Sequence, residues 1–246
     1  MNKVKEAFPE FEKPSVAVDT VILRVKNTDK IDAKTVSRKQ LQVLLVKRHG
    51  EKDWHLPGTI LRLGETPKDA IKRISLNKVN TSEATFEQLY TVADDPFRDD
   101  RGHIISIVYI GMLNNTVDEK NLNIKTTEYE SQWFWVGKEN TKGNNERKYV
   151  SEQDGSIITY MVYDHHKIIN DTINRLKGKL MYTDIGFNFI EELFTIRELE
   201  NTFNAINERD IPGFRRYISE KIEGTGELSS GNKFRPAELF RKRRYT

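Results

Sequence analysis

Lysine and arginine residues are concentrated in the last part of this 246-residue chain. Residues 213–246 hold nine of them against four Asp and Glu, whereas residues 1–212 hold 31 against 33. Phosphate groups are the commonest target of clustered Lys and Arg. The segment therefore indicates a polyanion as partner, although a solubilising tail would carry the same charge.

A helix predicted over residues 213–222 separates these charges from the apolar side chains. Its buried face is apolar and consists of Phe214, Tyr217, Ile218 and Ile222. Arg215, Arg216 and Ser219 then point outward, and Lys221 lies near the end of the helix. A helix in the major groove of DNA needs such an outward polar face, since arginine can pair with guanine edges or with phosphates.

The residues around this helix predict a winged helix-turn-helix domain. Thr195 and Glu198 form a capping box, and a helix over 196–207, a turn over 208–212 and a C-terminal hairpin complete the pattern. Lys233 and Arg235 lie near the tip of the hairpin, where a wing reaches DNA. We assign DNA contact to Thr195, Arg197, Arg215, Arg216, Ser219, Lys221, Lys233 and Arg235. A helical dimerisation module with a charged exterior is the alternative.

Composition excludes several classes of protein. The chain has no cysteine, which rules out disulfides, thiolate metal sites and cysteine nucleophiles. No apolar run approaches the roughly 20 residues of a membrane-spanning helix, and the N-terminus lacks the apolar core of a signal peptide. We therefore expect a soluble, cytoplasmic protein of one large or two small domains that does not bind membranes.

The elements that must position these residues change in type along the chain, which predicts an α+β fold. Apolar runs of strand length cover 15–25, 41–48, 86–93 and 104–113, a helix follows Thr66-Pro67, and an aromatic cluster spans 133–136. Residues 137–156 are rich in Gly, Asn and charge and predict a flexible connector. We expect an N-terminal tail over 1–14, a first domain over 15–150, a connecting helix over 157–180 and a second domain over 181–246.

Residues 59–81 resemble the Nudix box, in which a loop precedes a helix that carries carboxylates. Glu65 and Arg73 match the first Glu and the Arg of that motif. In the family, carboxylates at positions i, i+3 and i+4 of the helix hold Mg²⁺ against a diphosphate. Here those positions are Ile74, Asn77 and Lys78, so the resemblance implies a helix without catalytic residues. Carboxylates elsewhere in the chain that rebuild a metal site are the alternative.

Motifs outside the box extend the resemblance over about residues 15–243. They include Trp54-x-Leu56-Pro57-Gly58, Arg98-Asp99-x-Arg101-Gly102, Tyr163-Asp164-His165-His166 and Phe214-Arg215-Arg216. Together they resemble the Nudix-related transcriptional regulators. The resemblance implies a Nudix α/β/α sandwich followed by a winged helix, and a repressor that binds ADP-ribose or a related NAD-derived nucleotide as its effector. One short helix covers only a few base pairs, so we also expect a homodimer on a palindromic operator.

The resemblance also directs attention to residues that would hold the effector. These are Arg48, Trp54, Arg62, Glu65, Arg98, Asp99 and Arg101. Guanidinium groups match phosphate oxygens, and Trp54 would stack on a base or a ribose. Surface ion pairs for the arginines and a core position for Trp54 are equally compatible with the sequence. Trp133 and Trp135 are expected in the core or in a dimer interface.

Neither a metal nor another cofactor is required in this interpretation. His165 and His166 form no metal-binding pattern with other His or Cys residues, and we expect both to be hydrogen-bonded helix residues. An active pyrophosphohydrolase of ADP-ribose-like substrates and a regulator that responds to a sugar remain the two alternatives.

Overall fold

A computed structural model describes residues 12–28, 39–77, 84–114, 128–137, 147–158, 160–229 and 236–244. The elements up to residue 158 are β1 Ser15–Asn27, β2 Lys39–Arg48, β3 Gly58–Ile60, α1 Pro67–Asn77, β4 Thr85–Val92, β5 Ile104–Leu113, β6 Tyr129–Val136, β7 Tyr149–Ser151 and β8 Ile157–Ile158. They are followed by α2 His165–Leu180, a 3-10 helix Ile185–Phe189, α3 Ile196–Asn207, α4 Phe214–Ile218, β9 Ile222–Leu228 and β10 Glu238–Lys242.

The strands from β1 to β8 form one mixed sheet. Its order is β4-β5-β1-β2-β6-β7-β8, and β3 pairs with the first residues of β1. β1 and β5 are parallel, whereas β1 and β2 pair antiparallel. Side chains alternate between the two faces of each strand, so that Val18 and Ile22 lie on one face and Val21 and Leu23 on the other.

Helices cover both faces of this sheet, which confirms the predicted sandwich. α1 packs Ala70, Ile71 and Ile74 on the first face. The second face is covered by α2 together with α3, and both helices belong to a single apolar cluster with the strands. Phe203 of α3 is fully buried in this cluster. The predicted winged helix is therefore packed on the sheet and is not tethered at a distance from it.

The prediction of a flexible connector over 137–156 is wrong for the part that the structure describes. β7 lies in this region and β8 begins directly after it, and the two strands extend the sheet as a short hairpin. Ser151 Oγ accepts hydrogen bonds from the backbone N–H of Gln153 and Asp154 at 3.2 Å, and Gly155 has φ +71°. The polar, Gly-containing composition thus encodes a tight turn. Residues 138–146 lie outside the described residues.

α2 begins at His165, later than the predicted connecting helix at 157. Tyr163 has φ +59°, in the left-handed region that a helix interior excludes. Ile157 and Ile158 are paired in β8 instead. The helix then continues to Leu180, with Ile169, Ile173 and its other apolar residues turned to the sheet. In the described part of the chain, no helix combines the length and the apolarity that crossing a membrane requires.

The C-terminal elements form the expected winged helix, with one correction. The capping box is present, since Thr195 Oγ1 accepts from Glu198 N–H and Glu198 Oε2 accepts from Thr195 N–H at 2.8 Å. α4, however, ends at Ile218, and Ile222 already belongs to β9. Lys221 therefore lies in the turn before the wing, and its predicted place near the end of a helix over 213–222 is wrong.

Truncation of Phe203 to alanine should destabilise the sheet as well as the winged helix. A buried Phe→Ala change costs about 3–5 kcal/mol of unfolding free energy. Because the three tryptophans (Trp54, Trp133 and Trp135) precede α2, tryptophan fluorescence in urea reports on the sheet. We expect one cooperative transition at a lower midpoint.

The matched control for this experiment is Leu228→Ala in the wing, since Leu228 is 63% exposed. This change should alter the unfolding free energy by less than about 0.5 kcal/mol. A tryptophan transition that Phe203→Ala leaves at the wild-type midpoint would contradict the shared core.

Candidate functional site

A cleft of about 450 Å³ opens on the same face of the sheet that α2 covers. Ala17 and Asp19 of β1 and Ser106 of β5 form its floor, and Tyr163 and His165 at the start of α2 form one wall. β3 and the segment after β2 close the opposite side. Gly58 contacts Asp19 so closely that any Cβ would overlap its carboxylate, which explains a glycine at that position.

Two exposed arginines border this cleft and are held in place by aromatic rings. The guanidinium of Arg101 lies 4.1 Å from the ring centre of Tyr163 and makes a bidentate contact with Asp99, at 2.9 and 2.7 Å. Arg48 donates to the Tyr129 hydroxyl at 3.1 Å. Both cations thus have restricted orientations before any ligand arrives, which lowers the entropic cost of binding an anion.

The Asp99 carboxylate keeps its charge beside these arginines. Burial raises the pKa of Asp99, but hydrogen bonds from the Arg101 side chain and backbone outweigh burial, so the net shift is downward. Both oxygens of Asp99 accept from Arg101, and the carboxylate therefore positions that guanidinium at the edge of the cleft.

Arg98 also borders the cleft, but its guanidinium is already engaged. The side chain is 5% exposed and bonds Asp164 at 2.5 Å, the Ile104 carbonyl at 3.2 Å and the Ser106 hydroxyl. Arg98 thus connects the floor of the cleft to the residue that precedes α2.

Three of the residues predicted to hold an effector lie outside this cleft. Trp54 is buried in the core and packs edge-on against Phe134, with ring centres 5.0 Å apart. Arg62 is exposed in the loop before α1. Glu65 receives bonds from Arg73 Nε and Nη2, both at 2.8 Å, and its pKa is lowered to about 2 by this contact.

The buried imidazole of His165 also lines the cleft, a position that sequence reasoning did not assign to it. Leu56 N–H donates to His165 Nδ1 at 3.0 Å, which requires that nitrogen to be unprotonated. Burial, and then the neighbouring His55, lower the pKa of His165 to about 3. The expectation that His165 is a hydrogen-bonded helix residue is confirmed. Asp19, Tyr163 and Asp164 were also missed, although Tyr163-Asp164-His165 stands out as a motif.

The winged helix presents a second charged surface. Arg197, Arg215 and Arg216 are exposed, and their side chains make no ion pair with any residue that the structure describes. Ser219 is exposed and donates to the Arg216 carbonyl at 2.9 Å. Lys221 instead donates to Thr183 O at 3.2 Å and to Asp184 at 3.3 Å. Lys233 and Arg235 lie outside the described residues.

Comparison with known families identifies the first domain. The model of the NUDIX domain matches residues 29–154, which is more than half of the chain. The chain belongs to the Nudix family. The model of the NrtR DNA-binding winged helix domain matches residues 186–241, so this Nudix protein carries a DNA-binding type of C-terminal domain.

Relatives share this two-domain order. A curated protein of Acinetobacter baylyi, the ADPR responsive transcriptional repressor NtrR, is 24% identical over 94% of this chain and 83% of its own. A MutT/nudix family protein from Enterococcus faecalis has a TM-score of 0.68 at 23% identity, with 97% and 90% of the two chains covered. Shewanella oneidensis NrtR complexed with a 27mer DNA has a TM-score of 0.66 at 22% identity, with 93% of each chain covered. These two likenesses establish the fold.

The Nudix helix does not fit the Mg²⁺ that the family implies. Ile74 stands at the first carboxylate position and is buried in the core against the sheet. Both oxygens of Glu65 are held by Arg73. Among the described residues, no group of three His, Cys, Asp or Glu side chains is placed to hold a metal. Of the other two carboxylate positions, Asn77 ends α1 and Lys78 lies outside the described residues.

Glu65 and Arg73 nevertheless retain a structural role in the Nudix motif. Arg73 also donates to Thr59 Oγ1 at 2.5 Å and to the Ile60 carbonyl at 3.0 Å. The side chain thereby ties α1 to β3 and to the intervening loop. The loop and helix keep their arrangement through this network, and β3 keeps its place at the edge of the cleft.

The buried imidazole of His165 predicts a stability that falls on acidification. The unfolded chain takes up a proton below pH 6.5 and the folded protein does so only near pH 3, so unfolding becomes easier as the pH falls from 6.5. Replacement by Asn, which keeps an acceptor and cannot titrate, removes this dependence. The gap in unfolding free energy between wild type and His165→Asn should narrow by about 2 kcal/mol from pH 7 to pH 5 in urea titrations.

A change that touches no titratable group supplies the control. Leu228→Ala, at a side chain that is 63% exposed, should leave a difference in unfolding free energy from wild type that does not change over the same pH interval. If the difference in unfolding free energy between wild type and His165→Asn stayed the same from pH 7 to pH 5, His165 would not be the source of the pH dependence.

Proposed function

We propose that this protein is a DNA-binding transcriptional repressor of the cytoplasm, and that its Nudix domain binds ADP-ribose or a related NAD-derived nucleotide without hydrolysing it. The observation that carries the proposal is the packing of an arginine-bearing winged helix on the sheet that forms an arginine-bordered cleft. The curated relative that shares this domain order is named as an ADPR responsive repressor.

The chemistry of the cleft supports a nucleotide diphosphate as ligand. Arg48 and Arg101 are exposed and pre-oriented, and a guanidinium binds phosphate oxygens through paired hydrogen bonds. Asp19 and Glu51 line the same cleft and can accept hydrogen bonds from ribose hydroxyls. The volume of about 450 Å³ lies within the range of small-molecule sites.

The expected absence of hydrolysis follows from the helix. An isoleucine that fills the core at position 74 cannot supply a metal ligand, and Glu65 is neutralised by Arg73. We expect no release of AMP from ADP-ribose with Mg²⁺ above the rate of a buffer blank. Turnover of ADP-ribose would favour the alternative of an active pyrophosphohydrolase.

A DNA shift assay tests the whole proposal. The probe is the region upstream of the protein's own gene, with and without ADP-ribose, and calorimetry with ADP-ribose and a panel of pentoses runs in parallel. We expect a specific shift that ADP-ribose alters. One α4 covers few base pairs, so we expect two copies of the chain on a palindrome. Pentose binding without ADP-ribose binding would overturn the nucleotide assignment.

Removal of the two arginines of α4 should abolish specific DNA binding. The double change Arg215→Ala, Arg216→Ala deletes exposed cations from the helix expected in the major groove. For wild type, five or six phosphate contacts give a slope of log K against log salt of about −5. For the non-specific binding that the double variant retains, the slope should be shallower by about one for each phosphate that is no longer neutralised.

The control is the double change Lys68→Ala, Lys72→Ala. It also removes two positive charges, from exposed positions of α1 on the other face of the sheet. DNA affinity should stay within about twofold of wild type, and ADP-ribose affinity should be unchanged in both double variants. An equal loss of DNA binding in the two would indicate an effect of net charge alone.

Arg101→Ala should weaken ADP-ribose binding about 10- to 100-fold, because a hydrogen bond between charged groups contributes about 1.5–3 kcal/mol. Calorimetry measures the change. Arg175→Ala is the matched control, since Arg175 stacks on Tyr90 at 4.5 Å but lies outside the cleft. Equal affinities of the Arg101 variant and wild type would remove Arg101 from the site.

A further inference from the structure

α2 contacts the cleft at one end and the winged helix at the other. Asp164, directly before its first turn, bonds Arg98 at 2.5 Å, and His165 accepts from Leu56 N–H. At the far end, the Tyr217 hydroxyl of α4 donates to the Leu180 carbonyl at 3.1 Å. The helix has 16 residues and is therefore about 24 Å long.

A second contact between α2 and the winged helix is ionic and involves Glu208, the residue that follows α3. Lys177 of α2 and Arg147 of the sheet domain both donate to the Glu208 carboxylate, with Arg147 Nη2 at 3.3 Å from Oε2. Arg147 is fully buried and also bonds the Gly137 carbonyl at 3.0 Å and Asn170 at 2.7 Å. One carboxylate in the turn of the helix-turn-helix therefore joins the sheet edge and α2.

The geometry of this cluster restricts the orientation of the winged helix. Hydrogen bonds to a buried guanidinium are directional, and loss of one partner leaves an uncompensated buried charge. Glu208 itself has φ +61°, a conformation that a non-glycine residue adopts only when its surroundings hold it. Its carboxylate can therefore satisfy both cations in only a narrow range of positions of α3 relative to α2.

The segment that joins α2 to α3 is packed against the sheet and does not form a flexible hinge. The 3-10 helix between α2 and α3 buries Ile185 and Phe189 in the same apolar cluster as the sheet. Lys39 at the start of β2 donates to Thr202 of α3 at 2.9 Å. Movement of the winged helix thus requires a shift of packed helices rather than bending of a loose linker.

We propose that Glu208 is the positioning residue through which effector binding sets the orientation of the winged helix. Arg98 lines the same cleft as Arg48 and Arg101, so an anionic ligand held by those two arginines competes with Asp164 for the Arg98 guanidinium and releases the start of α2. The shift of α2 then moves Lys177 against Glu208 and re-orients α3 and α4. This inference rests on the proposed function, because it assumes that the cleft takes an anionic nucleotide and that the winged helix binds DNA.

The test measures the coupling between the two ligands. For each variant, the Kd for operator DNA is determined with and without saturating ADP-ribose, and the ratio is the coupling factor. Glu208→Gln and Lys177→Gln should bind ADP-ribose within about twofold of wild type, yet their coupling factor should fall at least fivefold toward one. The second variant guards against misfolding of the first, and thermal melts check both.

The matched control is Glu152→Gln, which breaks a partly buried pair with Arg24 on the sheet, away from α2. Its coupling factor should equal that of wild type. A loss of coupling in all three variants would indicate general loosening and overturn the role of Glu208.

Two further results distinguish failure of the proposed role of Glu208 from failure of the proposed function. A wild-type coupling factor in Glu208→Gln and Lys177→Gln, with both ligands still bound, would overturn the role of Glu208 and leave the proposed function intact. Failure of the wild-type protein to bind ADP-ribose or operator DNA would overturn the proposed function, and the role of Glu208 with it.

Discussion

The structure depends on the burial of one face of the mixed sheet. Val21, Leu23 and their neighbours on that face must be removed from water, and each fully buried side chain of this kind contributes about 1.5–3 kcal/mol. The chain covers the face with α2 and with α3 of the winged helix. The same apolar contacts that fold the Nudix domain therefore also fix the DNA-binding domain, and neither can shift without disturbing the other.

Local patterns in the sequence are sufficient to predict much of this fold. The helical spacing of Leu199 and Phe203, the capping box at Thr195 and the strand-length apolar runs are signals within a few residues of one another. The β7 hairpin is different, because its polar residues satisfy the backbone of a turn, and β6, to which it pairs in the sheet, lies outside the hairpin. Polar composition alone does not separate such a turn from a connector.

The candidate site is harder to predict because its contacts join distant parts of the chain. Arg98 borders the cleft, but its main partner, Asp164, lies 66 residues further along the chain. Trp54 has the ring that stacking on a ligand needs, yet its contact with Phe134 places it in the core. A residue type predicts the chemistry a side chain can perform, whereas only the fold determines whether its partners are already present.

The charged residues of the DNA-binding domain likewise show that sequence does not reveal which side chains already have partners. The basic surplus of the last residues is partly cancelled inside the winged helix, where Arg241 pairs with Glu223 and both Lys221 and Lys242 pair with Asp184. Lys242 and Arg241 therefore stabilise the wing and its junction with the 3-10 helix. The arginines of α4 are exposed and have no such partners among the described residues. Their guanidinium groups are therefore available to bind a phosphate or a base edge. The contacts of α2 with Tyr217 and Glu208 hold the winged helix against the sheet domain, and they thereby fix the direction in which these arginines face.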